Sequence, residues 1–307
     1  MLKSLSGFIL ILITSLVVGC SYQIKPPSTQ NVIIVIVDGT RFTETFGGGA
    51  INIPYMYNNL KPLGTVYTNF RIAEEGKTTT IPGHSSILTG RWLQIHNDGT
   101  ERPSAPTIFE YYRKKTNSPI TQCYVVCGKE KLKVLSYSTD RAFGKNYSAS
   151  ESCSDTTNNA IYNNMINIMD EFHPKLMIVN FPDTDRSAHD SAWTDYITSL
   201  KNADSLVYLL WQKISNDPFY KNNTTMLVTN DHGRHTTDFQ SHGDDCDGCE
   251  HLMLLAIGKN IPRNVIDTKV HYQIDISTTV GYLMGFTTPK SLGRNLLEEE
   301  SLIKSIH

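Results

Sequence analysis

The chain alternates short, unbroken apolar runs with longer stretches whose apolar residues recur at helical spacing. Residues 31–37 (NVIIVIV) form a β-branched run that ends at Asp38-Gly39. Further runs occupy 122–126, 176–181 (LMIVNF), 225–229 (TMLVT) and 252–257. Runs that are apolar at every position, not at alternate ones, mark strands buried on both faces, as in a parallel sheet. Helical periodicity fills 107–115, 157–171, 193–215 and 277–284. Strands alternating with helices predict an α/β fold, a three-layer sandwich with a mostly parallel central sheet covered on both faces. No repeat, low-complexity tract or strong linker divides it. The stretches 93–102 and 128–155 read as insertions that shape a substrate pocket.

In such sheets ligands bind beyond the carboxyl ends of the strands. Here Asp38 follows the first run, Asp183 and Asp185 follow 176–181, and Asp231-His232 follow 225–229. Three strand ends therefore deliver carboxylates and an imidazole to one edge. At Asp231-His232-Gly233 the glycine tolerates a turn, so that Asp and His can reach inward together; a capped loop with a surface His is the alternative. Asp185 and His189 stand four apart, on one face of a helical turn, and can hold one ion. Otherwise Asp185 is a helix cap. Asp183 competes with it but lacks the partner four residues on. His242 lies in the polar loop Ser241-His242-Gly243-Asp244-Asp245. Its rival His251 precedes an apolar run and reads as structural, and His235 as a support for the ligands.

One further segment carries chemistry. In Lys77-Thr78-Thr79-Thr80-Ile81-Pro82-Gly83-His84, Pro82 and the later Gly90 bracket a short helix with Thr80 at its amino end. Unpaired N–H groups and the helix dipole there favour an anion. A hydroxyl at that point, its pKa lowered by a metal, is a nucleophile; a plain N-cap is the alternative.

Composition narrows the reading. The 307 residues carry a net charge of -2, with 39% hydrophobic and 19% charged residues. A packed core is feasible, and no basic surplus exists to drive nucleic-acid binding. The amino terminus has its own pattern: Lys3, an apolar run over 8–19, then Leu16-Val17-Val18-Gly19-Cys20. The run is too short to span a bilayer, which takes about 20 residues, and fits a signal peptide over 1–19. Its end resembles a bacterial lipobox, with Cys20 as the lipidated residue, 20–30 as a polar tether and 31–307 as the catalytic domain. Ser21 implies outer-membrane sorting, on the periplasmic or surface face, in a Gram-negative host. Five other cysteines remain, Cys123, Cys127, Cys153, Cys246 and Cys249. Cys246-Asp-Gly-Cys249 reads as a local disulfide or two plain thiols, because no second such pair completes a four-cysteine zinc site.

Taken in order, VIVDG at Asp38, TxPGH at Thr80, DxxxH at Asp185 and His189, DHG at Asp231 and His232, and a later His-Gly at His242 resemble the alkaline phosphatase superfamily. The nearest branch is the type I phosphodiesterase/nucleotide pyrophosphatase group, and order and spacing match from about residue 31 to 285. The resemblance implies two zinc ions. One is held by Asp185, His189 and His242, the other by Asp38, Asp231 and His232 beside the Thr80 oxygen. It also implies a phospho-threonine intermediate, and a small-molecule phosphate ester or nucleotide as substrate. One departure stands out: the resembled group has Asn where this chain has Gly83. Either a backbone N–H or another side chain takes over, with Lys77, Arg41, Arg91 and Arg234 as candidates, and monoester against diester stays open. Phosphonate or sulfate monoester hydrolysis at the same site is an alternative, as is a non-catalytic surface binding lipoprotein. Sulfatases differ in needing a Cys or Ser at the Thr80 position.

The terminal pattern predicts that Cys20→Ala moves the protein from the membrane fraction to the soluble fraction of its host. Unchanged fractionation would contradict the lipid anchor.

Overall fold

The computed structural model describes residues 29–298. The expected signal segment, Cys20 and most of the tether lie outside the described residues. Along the chain come β1 (Asn31–Val37), β2 (Gly64–Arg71), α1 (Thr80–Thr89), α2 (Ile108–Thr116), β3 (Cys123–Cys127), β4 (Ser150–Cys153), α3 (Asn158–Phe172) and β5 (Leu176–Phe181). There follow α4 (Asp183–His189), α5 (Trp193–Asn216), β6 (Thr224–Thr229), α6 (Asp247–Glu250), β7 (His251–Gly258), β8 (Val265–Asp267), β9 (His271–Tyr272) and α7 (Asp275–Met284).

Among the described residues these strands form one sheet in the order β4-β3-β5-β1-β6-β7-β2-β8, with β9 also paired to β2. β1 lies between β5 and β6, parallel to both. Successive side chains of a strand point to opposite faces, and β1 is apolar at nearly every position because both faces are covered. Val32, Ile34 and Ile36 pack with Ile81 and Ile87 of α1, Phe109 of α2 and Val280 of α7. Ile33, Val35 and Val37 pack with Met165 of α3 and Leu200 and Val207 of α5. The sandwich has the three expected layers.

The sheet is mixed in one place. β7 runs antiparallel to both β6 and β2. The β6–β7 connection carries only the single turn α6 and no crossover helix, so the chain must reverse. Consequently β7 begins at the edge where β6 ends, and the loop with His242 stays there. One expectation needs correction. The stretch 128–155 is no mere insertion, since β4 within it pairs with β3 and extends the sheet. α1 spans Thr80–Thr89 and is capped by Gly90, so Thr80 stands at its amino end as expected. The five described cysteines are free thiols.

Asp204 on α5 fixes a segment packed below the sheet. Its carboxylate accepts the N–H groups of Tyr55 (2.9 Å) and Met56 (2.7 Å). Burial pushes this carboxyl up to about 6 against the pull of the two donors. An unfolded Asp titrates near 3.9, so the folded protein holds this proton more tightly. The associated stability is complete below about pH 4 and is lost as the pH rises through about 6. The advantage of wild type over Asp204→Asn in urea midpoint should shrink between pH 4 and pH 7. An equal difference at both pH values would show that Asp204 titrates normally.

Candidate active site

Four parallel strands end at one edge of the sheet, and each hands over a charged group. β1 leads into Asp38, β3 into Lys129, β5 into α4 with Asp185 and His189, and β6 into Asp231 and His232. The β6–β7 loop adds His242, and the first residue of α1 adds Thr80. Asp38, Asp231 and His232 are fully buried and Asp185 nearly so.

Asp38, Asp231 and His232 form one group. His232 Nε2 lies 3.7 Å from Asp38 Oδ1 and 3.6 Å from Asp231 Oδ2. Asp231 Oδ1 accepts N–H bonds from Gly39 (3.1 Å) and His232 (3.0 Å). Its Oδ2 has no hydrogen-bond partner, and neither has His232 Nε2. The other nitrogen of His232 lies 2.9 Å from the Gly233 carbonyl, to which it donates, so Nε2 is the atom aimed at the two carboxylates. Asp38 Oδ2 is fixed by the Asn180 amide at 2.8 Å.

Asp185, His189 and His242 form the second group. His189 Nε2 is 3.4 Å from Asp185 Oδ1 and 3.1 Å from His242 Nε2, and His242 Nε2 is 3.7 Å from Asp185 Oδ1. His242 Nδ1 faces the Thr78 carbonyl at 3.0 Å, leaving Nε2 with the lone pair. The His232 and His242 rings stack at 3.9 Å and join the two groups. Burial and the neighbouring His232 push His242 down to about 3, so this imidazole is neutral, the form that ligates metals.

Charge is concentrated here. Burial and then Asp231 push the Asp38 carboxyl up. Burial also acts upward on Asp185 and Asp231, but cations outweigh it and hold both below the usual carboxylate range. For Asp185 the bond to His189 counts first and then Lys129; for Asp231 it is His232 and then His84. The buried Lys129 ammonium bridges Asp185 Oδ2 at 2.7 Å and Asp38 Oδ1 at 2.9 Å, and stands 3.3 Å from Thr80 Oγ1. Sequence reasoning missed it: Lys129 follows the end of β3 by two residues, and a lysine there reads as a solvated surface charge.

Other candidates sort clearly. Asp183 pairs with Asn158 at the start of α3 (2.8 and 3.0 Å) and leaves the edge to Asp185. The fully buried Arg234 donates to the carboxylate and carbonyl of Asp185 and to Gly39 O. Arg41 forks onto Glu44 at 2.6 and 3.0 Å, and Arg91 donates to Lys290 O. Lys77 is exposed. His251 bonds Thr68 O and stacks on Phe42, and His235 faces Asp244. These cations are thus spent elsewhere or lie at the surface, while Lys129 reaches Thr80.

Two glycines are set by close approach. Gly39 has φ +64°, and a Cβ there would meet Asp185 Oδ1 at 2.7 Å. A Cβ on Gly83 would meet the Asp231 carbonyl oxygen at 2.2 Å. The Gly83 N–H itself is taken by Thr79 O at 2.9 Å. The position therefore has room for neither an Asn side chain nor a free donor. Instead Asn97 Oδ1 accepts the Ile81 N–H at 2.9 Å, and Lys131 Nζ lies 3.2 Å from the same oxygen.

The model of the type I phosphodiesterase / nucleotide pyrophosphatase family matches residues 104–273, more than half of the chain. That stretch contains Lys129, Asp185, His189, Asp231, His232 and His242 but precedes neither Asp38 nor Thr80, which lie upstream of it. No curated protein matches the sequence. Among solved structures the fold is similar to wild-type alkaline phosphatase PafA, with a TM-score of 0.67, 12% identity, and 89% of this chain covering 99% of that one. A Vibrio parahaemolyticus protein of the alkaline phosphatase superfamily gives 0.64 at 16% identity, over 88% of this chain and 71% of the other. The phosphonate monoester hydrolase of Agrobacterium radiobacter gives 0.61 at 14%, over 89% and 76%. At such identities the likeness is one of fold.

Gly83→Asn should not create a substitute binding side chain. It should push α1 off the end of β6, costing about 1–3 kcal/mol as overpacked sites do and weakening metal binding through Asp231. A variant of wild-type thermal stability and metal affinity would contradict the close approach.

Proposed function

This chain belongs to the type I phosphodiesterase / nucleotide pyrophosphatase family, within the alkaline phosphatase superfamily, and on that premise we propose that it is a two-zinc phosphatase that attacks phosphate monoesters with Thr80. The observation that carries the monoester preference is Lys129, whose ammonium stands 3.3 Å from the Thr80 hydroxyl. A phosphoryl group close enough to be attacked by Thr80 comes within reach of this cation. A monoester brings two negative charges to it and a diester one, and a charge-assisted contact grows with that charge. Lys131, part-buried beside Asn97, adds a second positive charge nearby.

The donor set fits metal. Asp231 Oδ2 and His232 Nε2 are buried polar atoms without a hydrogen bond, although His84 Nδ1 stands 3.3 Å from Asp231 Oδ2, and buried polar atoms seldom stay unsatisfied. Asp38, Asp231 and His232 offer ligand atoms within 4.8 Å of one another, as do Asp185, His232 and His242. His189 completes the second group in this reading, and mixed imidazole and carboxylate ligation suits zinc better than magnesium or calcium. When bound, a pair of zinc ions supplies Lewis-acid stabilisation of the attacking and leaving oxygens of an in-line displacement.

The chain's own residues do the rest. α1 presents Thr80 at its first position, where the positive end of the helix dipole favours the phosphoryl oxygens. Thr80 Oγ1 forms a bond to phosphorus as the bond to the leaving alcohol breaks, giving phospho-Thr80. Water then attacks the same phosphorus, inorganic phosphate departs and the Thr80 hydroxyl is restored. Lys129 stabilises the charge on the transferring group, and Arg234 and Asn180 hold Asp185 and Asp38 in place. Anchoring through Cys20 would set this activity at the cell envelope, on small phosphate esters outside the cytoplasm. Among the described residues no helix is long and apolar enough to cross a membrane.

Thr80→Ala should lower turnover of nitrophenyl phosphate on the order of 10³-fold or more, and a chelator should abolish it reversibly. Lys129→Ala should cost about 10²–10³-fold on the monoester and clearly less on bis-nitrophenyl phosphate. Equal losses on both esters would contradict the monoester assignment. A panel including a phosphonate monoester and a sulfate ester ranks the alternatives.

A further inference from the structure

The loop that carries His242 brings together four more ligand-type side chains, none of them used above. His235 Nε2 lies 3.1 Å from Asp244 Oδ2. The ligand atoms of His235, Asp244 and Cys249 all fall within 4.8 Å of one another. Cys246 lies three residues before Cys249 on the same turn, and its backbone N–H donates to Asp244 Oδ1 at 3.1 Å. Backbone bonds fold the loop onto itself around them: His235 N–H to Ser241 O (2.9 Å), Arg234 N–H to Gly248 O (3.0 Å) and Cys249 N–H to Cys246 O (2.9 Å). Cys249 is fully buried, while His235 and Asp244 are open to solvent on one side, so an ion has a way in.

We propose that His235, Asp244, Cys246 and Cys249 form a closed structural zinc site that clamps the β6–β7 loop and thereby positions His242. Two thiols, an imidazole and a carboxylate make a borderline-soft set that selects zinc over magnesium or calcium. Four protein ligands leave no open position, which marks a structural site and not a catalytic one. Sequence spacing hid it, because Asp244, Cys246 and Cys249 lie close together but His235 stands nine residues before Asp244. A disulfide between the cysteines would need neither His235 nor Asp244, yet both converge on the Cys249 thiol. The clamp would hold residues three after His232 and two after His242, so it ties together the two histidines whose rings stack. This inference does not rest on the phosphatase reading and would hold for a catalytically inert chain.

The test uses cobalt as a probe. The six metal-ligand candidates of the active site contain no sulfur, so thiolate-to-cobalt charge-transfer absorption cannot come from them. Metal-free protein, reduced and refilled with Co(II), should show that absorption. Cys249→Ser should weaken it at least twofold and Cys246→Ser/Cys249→Ser should abolish it, and His235→Ala/Asp244→Ala, at surface-accessible positions, should lower bound cobalt by one ion per chain. Cys153→Ser and Asp38→Asn should both retain the absorption. The proposal is overturned if wild-type protein with free thiols shows no such band. It is equally overturned if His235→Ala/Asp244→Ala binds as much cobalt as wild type, or if peptide mass analysis of protein from its host shows a Cys246–Cys249 disulfide. Circular dichroism of each variant confirms the fold, and His235→Ala/Asp244→Ala decides the matter should the cysteine variants fail to fold.

Discussion

Three carboxylates converge at a buried edge of the sheet, and the surrounding structure follows from the need to neutralise them. Asp38, Asp185 and Asp231 are at most 4% exposed. Charges removed from water are costly unless paired and hydrogen-bonded. Lys129 spans Asp38 and Asp185, Arg234 holds Asp185, and backbone N–H groups hold one oxygen of Asp231. The partner atoms that remain are Asp231 Oδ2 and His232 Nε2. A divalent cation would satisfy both at once, which is why the electrostatics of this edge argue for metal independently of any family resemblance.

The same constraint explains the backbone. Bringing these groups within ligand range requires close approach of segments far apart in the chain. The β1 end meets α4 at Gly39, and α1 meets the β6 end at Gly83. The reversed strand β7 returns the His242 loop to the edge without a crossover helix. Gly83 is therefore the cost of seating α1 against Asp231, and the side chain that relatives place there has no room. In the proposed mechanism Lys129 takes that role from another strand. This bears on substrate, because the chain carries a cation 3.3 Å from the Thr80 hydroxyl.

Much of this was legible in the chain itself. The run 31–37 coincides with β1, and 176–181 with β5, because strands buried on both faces leave an unbroken apolar signature. Ligand-type residues following those runs fall at one edge because parallel strands share a direction. What stayed hidden has physical reasons. β2 (GTVYTNFR) lacks a clean apolar period, and its register with β7 shifts between Tyr67 and Phe70. β4 is a short, half-exposed edge strand. Lysine is usually a solvated surface charge, so nothing local distinguishes Lys129 from Lys131 or Lys133 until the fold buries it between two carboxylates. His235 meets Asp244 and Cys249 only through loop closure, which no pattern in the sequence encodes.

The most direct test of the account is diffraction from zinc-loaded crystals at the zinc absorption edge. It should give one anomalous peak enclosed by Asp38, Asp231 and His232 and a second enclosed by Asp185, His189 and His242, with the Lys129 ammonium no longer bridging Asp38 and Asp185. A structure at saturating zinc with no peak at either place, and Lys129 still joining the two carboxylates, would contradict it.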